Sequence, residues 1–144
     1  MDKEEVDKLL KKLNYRGQMR VAVINGDNSF ISSLEKNIEG LRVDKTVDPR
    51  FPYDFTIVFV QYFNEVEQYA APAIHNLTAD GVLWFAFPAI NSSNRESDLD
   101  ADHGWEFLTG RGFDKVRKVK INREWTALRF RNIRFIRSRS ANSR

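Results

Sequence analysis

No cysteine occurs among the 144 residues, which excludes disulfides, thiolate metal sites and cysteine nucleophiles together. Histidine is nearly as scarce, and His75 and His103 leave almost no room for a histidine-based metal cluster. No segment reaches the ~18 continuous apolar residues of a membrane-spanning helix. The start, Met1-Asp2-Lys3-Glu4-Glu5, lacks the apolar run of a signal peptide. A soluble cytoplasmic protein without a membrane partner is therefore expected. No internal repeat is visible.

What is present is ordinary for a folded chain. Apolar residues make up 42% and charged residues 30%, and eleven Phe, four Tyr and three Trp argue against disorder. The length fits one domain, which at this size buries about 68–70% of its unfolded surface. The formal charge of +3 is unevenly spread. Arg129, Arg131, Arg134, Arg137, Arg139 and Arg144 fall in the last sixteen residues with no acid among them. Residues 1–128 then hold 17 bases against 20 acids, so the body is mildly acidic and offers little support for a whole-domain nucleic-acid footprint.

Val6, Leu9, Leu10 and Leu13 follow the spacing of an amphipathic N-terminal helix, with acids leading and bases closing. Arg20-Val21-Ala22-Val23-Ile24 reads as a buried strand ending in the turn Asn25-Gly26-Asp27-Asn28, and Phe30, Ile31, Leu34 and Ile38 continue as a helix. Residues 41–47 alternate like an edge strand. Phe55-Thr56-Ile57-Val58-Phe59-Val60 is apolar on both faces, as in a central parallel strand. Asn64 reads as the cap of a helix carrying Val66, Tyr69, Ala70, Ala73, Ile74 and Leu77. Gly81–Phe87 is a second apolar strand closed by Pro88. A short helix near Ala101, Trp105 and Leu108 precedes a hairpin about Asn122-Arg123-Glu124. Residues 1–136 are expected to form one α/β domain, and 137–144 a flexible basic tail.

Strands alternating with helices, then a hairpin, argue for a doubly wound, Rossmann-like, mostly parallel sheet in a three-layer α/β/α arrangement, with the antiparallel pair at one edge. Strands 20–25, 56–61 and 81–87 are expected to be adjacent and parallel, with 56–61 in the middle. Ligands of such sheets bind outside the carboxyl ends of the parallel strands. Those ends supply the candidate site: Asn25, Gly26, Asp27, Asn28 and Ser29 after the first strand, and Gln61, Tyr62 and Asn64 after the central one.

Tyr53-Asp54-Phe55-Thr56-Ile57-Val58, Leu77-Thr78-Ala79-Asp80-Gly81-Val82-Leu83-Trp84 and Gly112-Phe113-Asp114-Lys115-Val116 resemble strand-leading signals of the class I S-adenosylmethionine-dependent methyltransferase fold, here shortened. Residues 9–130 resemble more closely an uncharacterised bacterial family known only as a domain of unknown function. Leu9-Leu10-Lys11-Lys12-Leu13, Val21-Ala22-Val23-Ile24-Asn25, Asp80–Pro88 and Glu124-Trp125-Thr126-Ala127-Leu128-Arg129-Phe130 carry that likeness. Its members often have a Lys after the strand-closing Pro, where this chain has Ala89.

The resemblance implies a cofactor loop at 25–29, where one glycine stands instead of the usual Gly-x-Gly-x-x-Gly. An ordinary strand-to-helix turn and a ligand loop both remain open for it. The resemblance also implies a ribose-binding acid after the second strand, for which Asp44 and Asp48 are the candidates. The helix and strand that usually follow are missing. The expectation is a binding or interaction module for an unknown protein or small molecule, with no catalytic residue assigned, no metal and no cofactor. The alternatives are a reduced S-adenosylmethionine-dependent methyltransferase and a nucleic-acid binder acting through the Arg-rich C-terminal tail. Trp84, Trp105 and Trp125 read as packing residues, one of them a candidate partner contact.

Overall fold

A computed structural model describes residues 1–90, 92 and 96–136. The acidic start of the chain folds as expected into α1 (Lys3–Lys12). Its cap is reciprocal: Asp2 Oδ1 accepts from the Glu5 amide at 2.8 Å, and Glu5 Oε1 accepts from the Asp2 amide at 3.1 Å. Val6, Leu9, Leu10 and Leu13 are all buried. β1 (Arg20–Ile24), α2 (Asn28–Asn37) and β2 (Arg42–Asp44) follow, then β3 (Tyr53–Phe59), α3 (Phe63–His75) and β4 (Leu77–Pro88). α4 (Glu106–Thr109), β5 (Phe113–Lys120), β6 (Trp125–Asn132) and a single 3₁₀ turn complete the described chain.

The six strands form one sheet in the order β2-β1-β3-β4-β6-β5. β2, β1, β3 and β4 are mutually parallel, β6 is antiparallel to β4, and β5 is antiparallel to β6. The strand reading thus holds, with β3 between β1 and β4 and β2 at an edge. Apolar side chains on both faces demand cover on both, and the core accordingly divides in two. Val21, Val23, Ile57, Phe59 and Trp84 face α1 and α2. Ala22, Val58, Leu83, Phe85 and Phe130 face α3 and α4. The indole of Trp84, with no exposed surface, donates to the Leu13 carbonyl at 2.8 Å and fixes the end of α1 to the sheet.

One local reading is corrected. The cap of α3 is Tyr62, not Asn64, because Glu65 reaches back to accept from the amides of Gln61 and Tyr62 at 2.6 and 2.9 Å. The return from β2 to β3 carries no helix, as expected. It needs only residues 45–52, because β2 pairs just Arg20, Val21 and Ala22 and stops halfway up β1.

Arg129 and Arg131, grouped by sequence with the basic tail, belong to β6. The tail itself, residues 137–144, lies outside the described residues. Among the described residues no helix is long and apolar enough to cross a membrane.

Candidate functional site

The carboxyl ends of β1, β3 and β4 converge at one edge of the sheet, as the parallel register requires. β1 leaves the sheet through Asn25, which adopts a left-handed conformation (φ 56°) tolerated by its short polar side chain. Its side-chain Nδ2 donates to the Phe59 carbonyl at 3.4 Å, tying the loop to the end of β3. Gly26 follows. A Cβ there would stand 2.6 Å from Val23 Cγ1 and 2.8 Å from Ile31 Cδ1, so this glycine lets the loop pack on its own helix. Asp27 caps α2, with Oδ1 accepting from the Ser29 amide and hydroxyl, both at 2.9 Å. Its other oxygen accepts from the Trp125 indole at 3.1 Å. Asn25, Asn28 and Ser29 are exposed.

At the end of β3, Gln61 is half-buried, and Tyr62, Phe63 and Asn64 are exposed. The first amides of α3 are occupied by carboxylates: Glu65 holds those of Gln61 and Tyr62, and Asp98 accepts from Phe63 at 2.8 Å. Ser97 donates to the Gln61 carbonyl at 2.6 Å. Phe87, buried at the end of β4, packs edge-on against Trp105 with centroids 5.5 Å apart, and Trp125 meets Phe59 at 4.9 Å. The aromatic filling of this edge therefore comes from Phe87 and two tryptophans, while Tyr62 and Phe63 stay outside it. All three tryptophans are buried, which overturns the expectation that one is free for a partner.

Asp44 does not reach this edge. It accepts from Arg20 Nε at 2.8 Å, from Arg42 Nε at 3.0 Å and from the Tyr53 hydroxyl. Burial by itself would raise the Asp44 carboxyl, but the hydrogen bonds from Tyr53, Arg20 and Arg42 outweigh it and hold the group below the usual carboxylate range. Asp48 accepts from Arg20 Nη2 at 3.0 Å and from the Arg50 amide. Arg20 also lies 4.0 Å from the centre of the Phe51 ring. These contacts brace the short β2–β3 return, and sequence reasoning missed them because the partners stand far apart in the chain.

His103 Nδ1 lies 2.9 Å from Asp100 Oδ1, and Lys115 reaches Asp102 at 2.7 Å, so the two acids are engaged in surface pairs. His75 is exposed. Among the described residues no three His, Cys, Asp or Glu side chains gather as metal ligands would.

No family model matches the sequence, and no curated protein matches it. Solved structures do match the fold. The ribosomal protein L11 methylase from Lactobacillus delbrueckii subsp. bulgaricus superposes with a TM-score of 0.54 at 12% identity, over 90% of this chain and 77% of that one. The N-methyltransferase NodS from Bradyrhizobium japonicum WM9, in complex with S-adenosyl-L-homocysteine, gives 0.54 at 14%, over 90% and 86%. Phosphoethanolamine N-methyltransferase 2 from Haemonchus contortus, in complex with S-adenosyl-L-methionine, gives 0.56 at 13%, over 90% of this chain and 36% of that one.

These complexes overturn the expectation of no cofactor, since the fold is one that holds S-adenosylmethionine or its product. At this edge Asn25, Asn28, Ser29, Tyr62 and Phe63 are exposed, with the Asn25 side chain bonded to the Phe59 carbonyl and the Ser29 hydroxyl to Asp27. The ribose acid has no counterpart in Asp44, whose carboxylate is engaged elsewhere. The chain has the methyltransferase-like α/β fold, with a mostly parallel sheet and antiparallel strands toward its C-terminal end.

Proposed function

We propose that this chain is a cytoplasmic ligand-binding module that uses the carboxyl edge of a methyltransferase-like sheet, with S-adenosylmethionine or S-adenosylhomocysteine as its first candidate ligand. The observation that carries the reading is the division of labour at the end of β1. Asp27 is bonded to Ser29 and Trp125 and shapes the loop, whereas the exposed Asn25 and Asn28 present neutral polar groups at the edge, Asn25 through the oxygen left over from its bond to the Phe59 carbonyl. Such groups bind and orient. They are poor general bases, and Asp27 and Asp44 are already hydrogen-bonded within the protein, so the reading is one of binding rather than methyl transfer.

The test is calorimetry and thermal shift with both ligands. A ligand at about 100 times Kd adds about 2.7 kcal/mol, a shift of several degrees for a chain of this size. Asn28→Ala, at an exposed position, should reduce that shift without changing the unliganded melting point by more than about 1 °C, whereas Asn25→Ala should reduce it and also lower the unliganded melting point, because it leaves alanine in a left-handed conformation without the bond to Phe59. No shift with either ligand, or a shift both variants retain, would refute the assignment. Methyl transfer to any acceptor that depends on this loop would instead favour the reduced methyltransferase.

A further inference from the structure

Two openings lie at the opposite end of the sheet, where the parallel strands begin. β4 makes an excursion there: Leu77 pairs with Tyr53 and Val82 with Phe55, so Thr78–Gly81 bulge out between them. Asp80, at the tip, is left-handed (φ 55°) and is gripped by Arg131 in a two-bond fork, both bonds 2.7 Å. The bulge forms one wall of a groove of about 500 Å³. The loop after α1 forms the opposite wall with Asn14, Arg16 and Gln18, and Arg129 and Arg131 complete the lining.

Arg129 is the anomaly in this groove. It lies on the α1 face of β6, and among the described residues its Nε is buried without a hydrogen-bond partner. Burial of a guanidinium is costly unless it is paired, and this one is opposed by like charge. Arg117 sits directly across from it on β5, a cross-strand arrangement that is itself destabilising. Burial first, and then the charges of Arg131, Arg16 and Arg117, lower its pKa, and the charge of Asp80 opposes them. Asp80 is already committed to Arg131, and the other acid of the groove, Asp54, accepts from the Thr78 hydroxyl at 2.6 Å.

A long arginine often buries its stem and leaves its head in water. That explanation covers the exposed Arg16 but not a desolvated, unpartnered Nε. A dianion in the groove would offset the repulsion among Arg16, Arg117 and Arg129, and it would supply acceptors to the part of the Arg129 guanidinium that lines the groove. Guanidinium groups match the oxygen geometry of phosphate particularly well. We propose that the amino edge of the sheet carries a phosphoryl-binding site, with the half-buried Arg129 as its anchor and Arg16 as its exposed partner. The ligand is inorganic phosphate or a small phosphate monoester, whose polar body the groove has room to take beside Thr78 and Gln18. This site is separate from the carboxyl-edge loop and does not depend on it.

The test uses the full chain, with calorimetry and thermal shift at constant ionic strength. Inorganic phosphate and glycerol phosphate are the probes, and sodium chloride is the control. At about 10 mM, either probe should raise the melting temperature of the wild type by about 2 °C or more beyond chloride. Tighter binding of glycerol phosphate assigns the site to a monoester, and equal binding assigns it to the phosphate group itself. Arg129→Leu should lose the response, with Kd weakened about tenfold or more, while its unliganded melting point stays level or rises because an unpaired charge has gone. Arg16→Gln, at an exposed position, should weaken binding about threefold or more with no change in unliganded stability. Phosphate no better than chloride, or wild-type affinity in Arg129→Leu or Arg16→Gln, would overturn the proposal.

Discussion

Substituting Asp44 by alanine separates a structural carboxylate from a ligand-binding one. The Asp44 side chain is 10% exposed and accepts from Arg20, Arg42 and the Tyr53 hydroxyl. Hydrogen bonds to a charged group contribute about 1.5–3 kcal/mol each, but the losses do not add. Arg20 keeps Asp48 and the Phe51 ring, and Arg42, 65% exposed, turns to water. The Tyr53 hydroxyl loses its acceptor inside the core. A cost of about 3 kcal/mol follows, at the low end for breaking a buried pair and discounted for the partial exposure. Urea unfolding at neutral pH measures it directly, and a fall of about 10 °C in melting temperature should accompany it.

The pH dependence gives a second reading of the same bond. The carboxyl of Asp44 is held below its unfolded value, so it binds fewer protons in the folded state. Its contribution is complete above the unfolded pKa of about 3.9 and disappears as pH falls through the lower folded value. The stability gap between wild type and Asp44→Ala should therefore be constant from neutrality down to about pH 5 and close below about pH 4. A cost under about 0.5 kcal/mol, combined with loss of S-adenosylhomocysteine binding, would refute the reasoning and make Asp44 a ligand residue.

Two further substitutions probe the scaffold around each edge. Trp84→Phe strands the Leu13 carbonyl inside the core and leaves a void beside α1; urea unfolding should show a loss of about 3 kcal/mol, and under about 1 kcal/mol would mean α1 is not held this way. Gly26→Ala drives a methyl into Val23 and Ile31, both buried, and should destabilise by about 1–3 kcal/mol in the same assay, whereas a neutral result would return the glycine to a ligand-approach role.

How far the sequence could be read depended on whether the deciding partners were local. The parallel order of β1, β3 and β4 followed from runs such as Phe55–Val60, whose apolarity on both faces only a doubly covered sheet can bury. The turn that leads into α2 was equally legible from Asn25-Gly26-Asp27-Asn28, within which Asp27 caps the helix. Asn64, three residues before Glu67, misled as a cap, because Glu65 instead reaches back three and four residues and the helix starts earlier. Asp44 was read as half-exposed on an edge strand, and nothing nearby announces Arg20, 24 positions away. Arg129 and Arg131 were counted with the tail although Trp125-Ala127 and Leu128-Phe130 already define opposite faces of a strand, and continuing the first alternation places both arginines on the α1 side.

That placement matters because β6 runs against β4. Its last residues return to the end of the sheet where β3 and β4 begin, beside the loop that leaves α1. Bases from distant parts of the chain, Arg16, Arg129 and Arg131, therefore meet at the amino edge. The carboxyl edge collects Asp27, Glu65 and Asp98, each of which accepts a hydrogen bond from a backbone amide there. A formal charge of +3 conceals this separation along the strands. Its consequence is chemical: a cationic sulfonium such as that of S-adenosylmethionine is favoured at the acid-bearing edge, and an anion at the arginine-bearing one. Raising salt should weaken the second more than the first, because an ionic contact with a dianion is screened more strongly than neutral hydrogen bonds from Asn25 and Asn28. Binding curves for the two ligands at low and high ionic strength test that difference, and equal salt dependence would show that the charge separation does not govern which ligand each edge accepts.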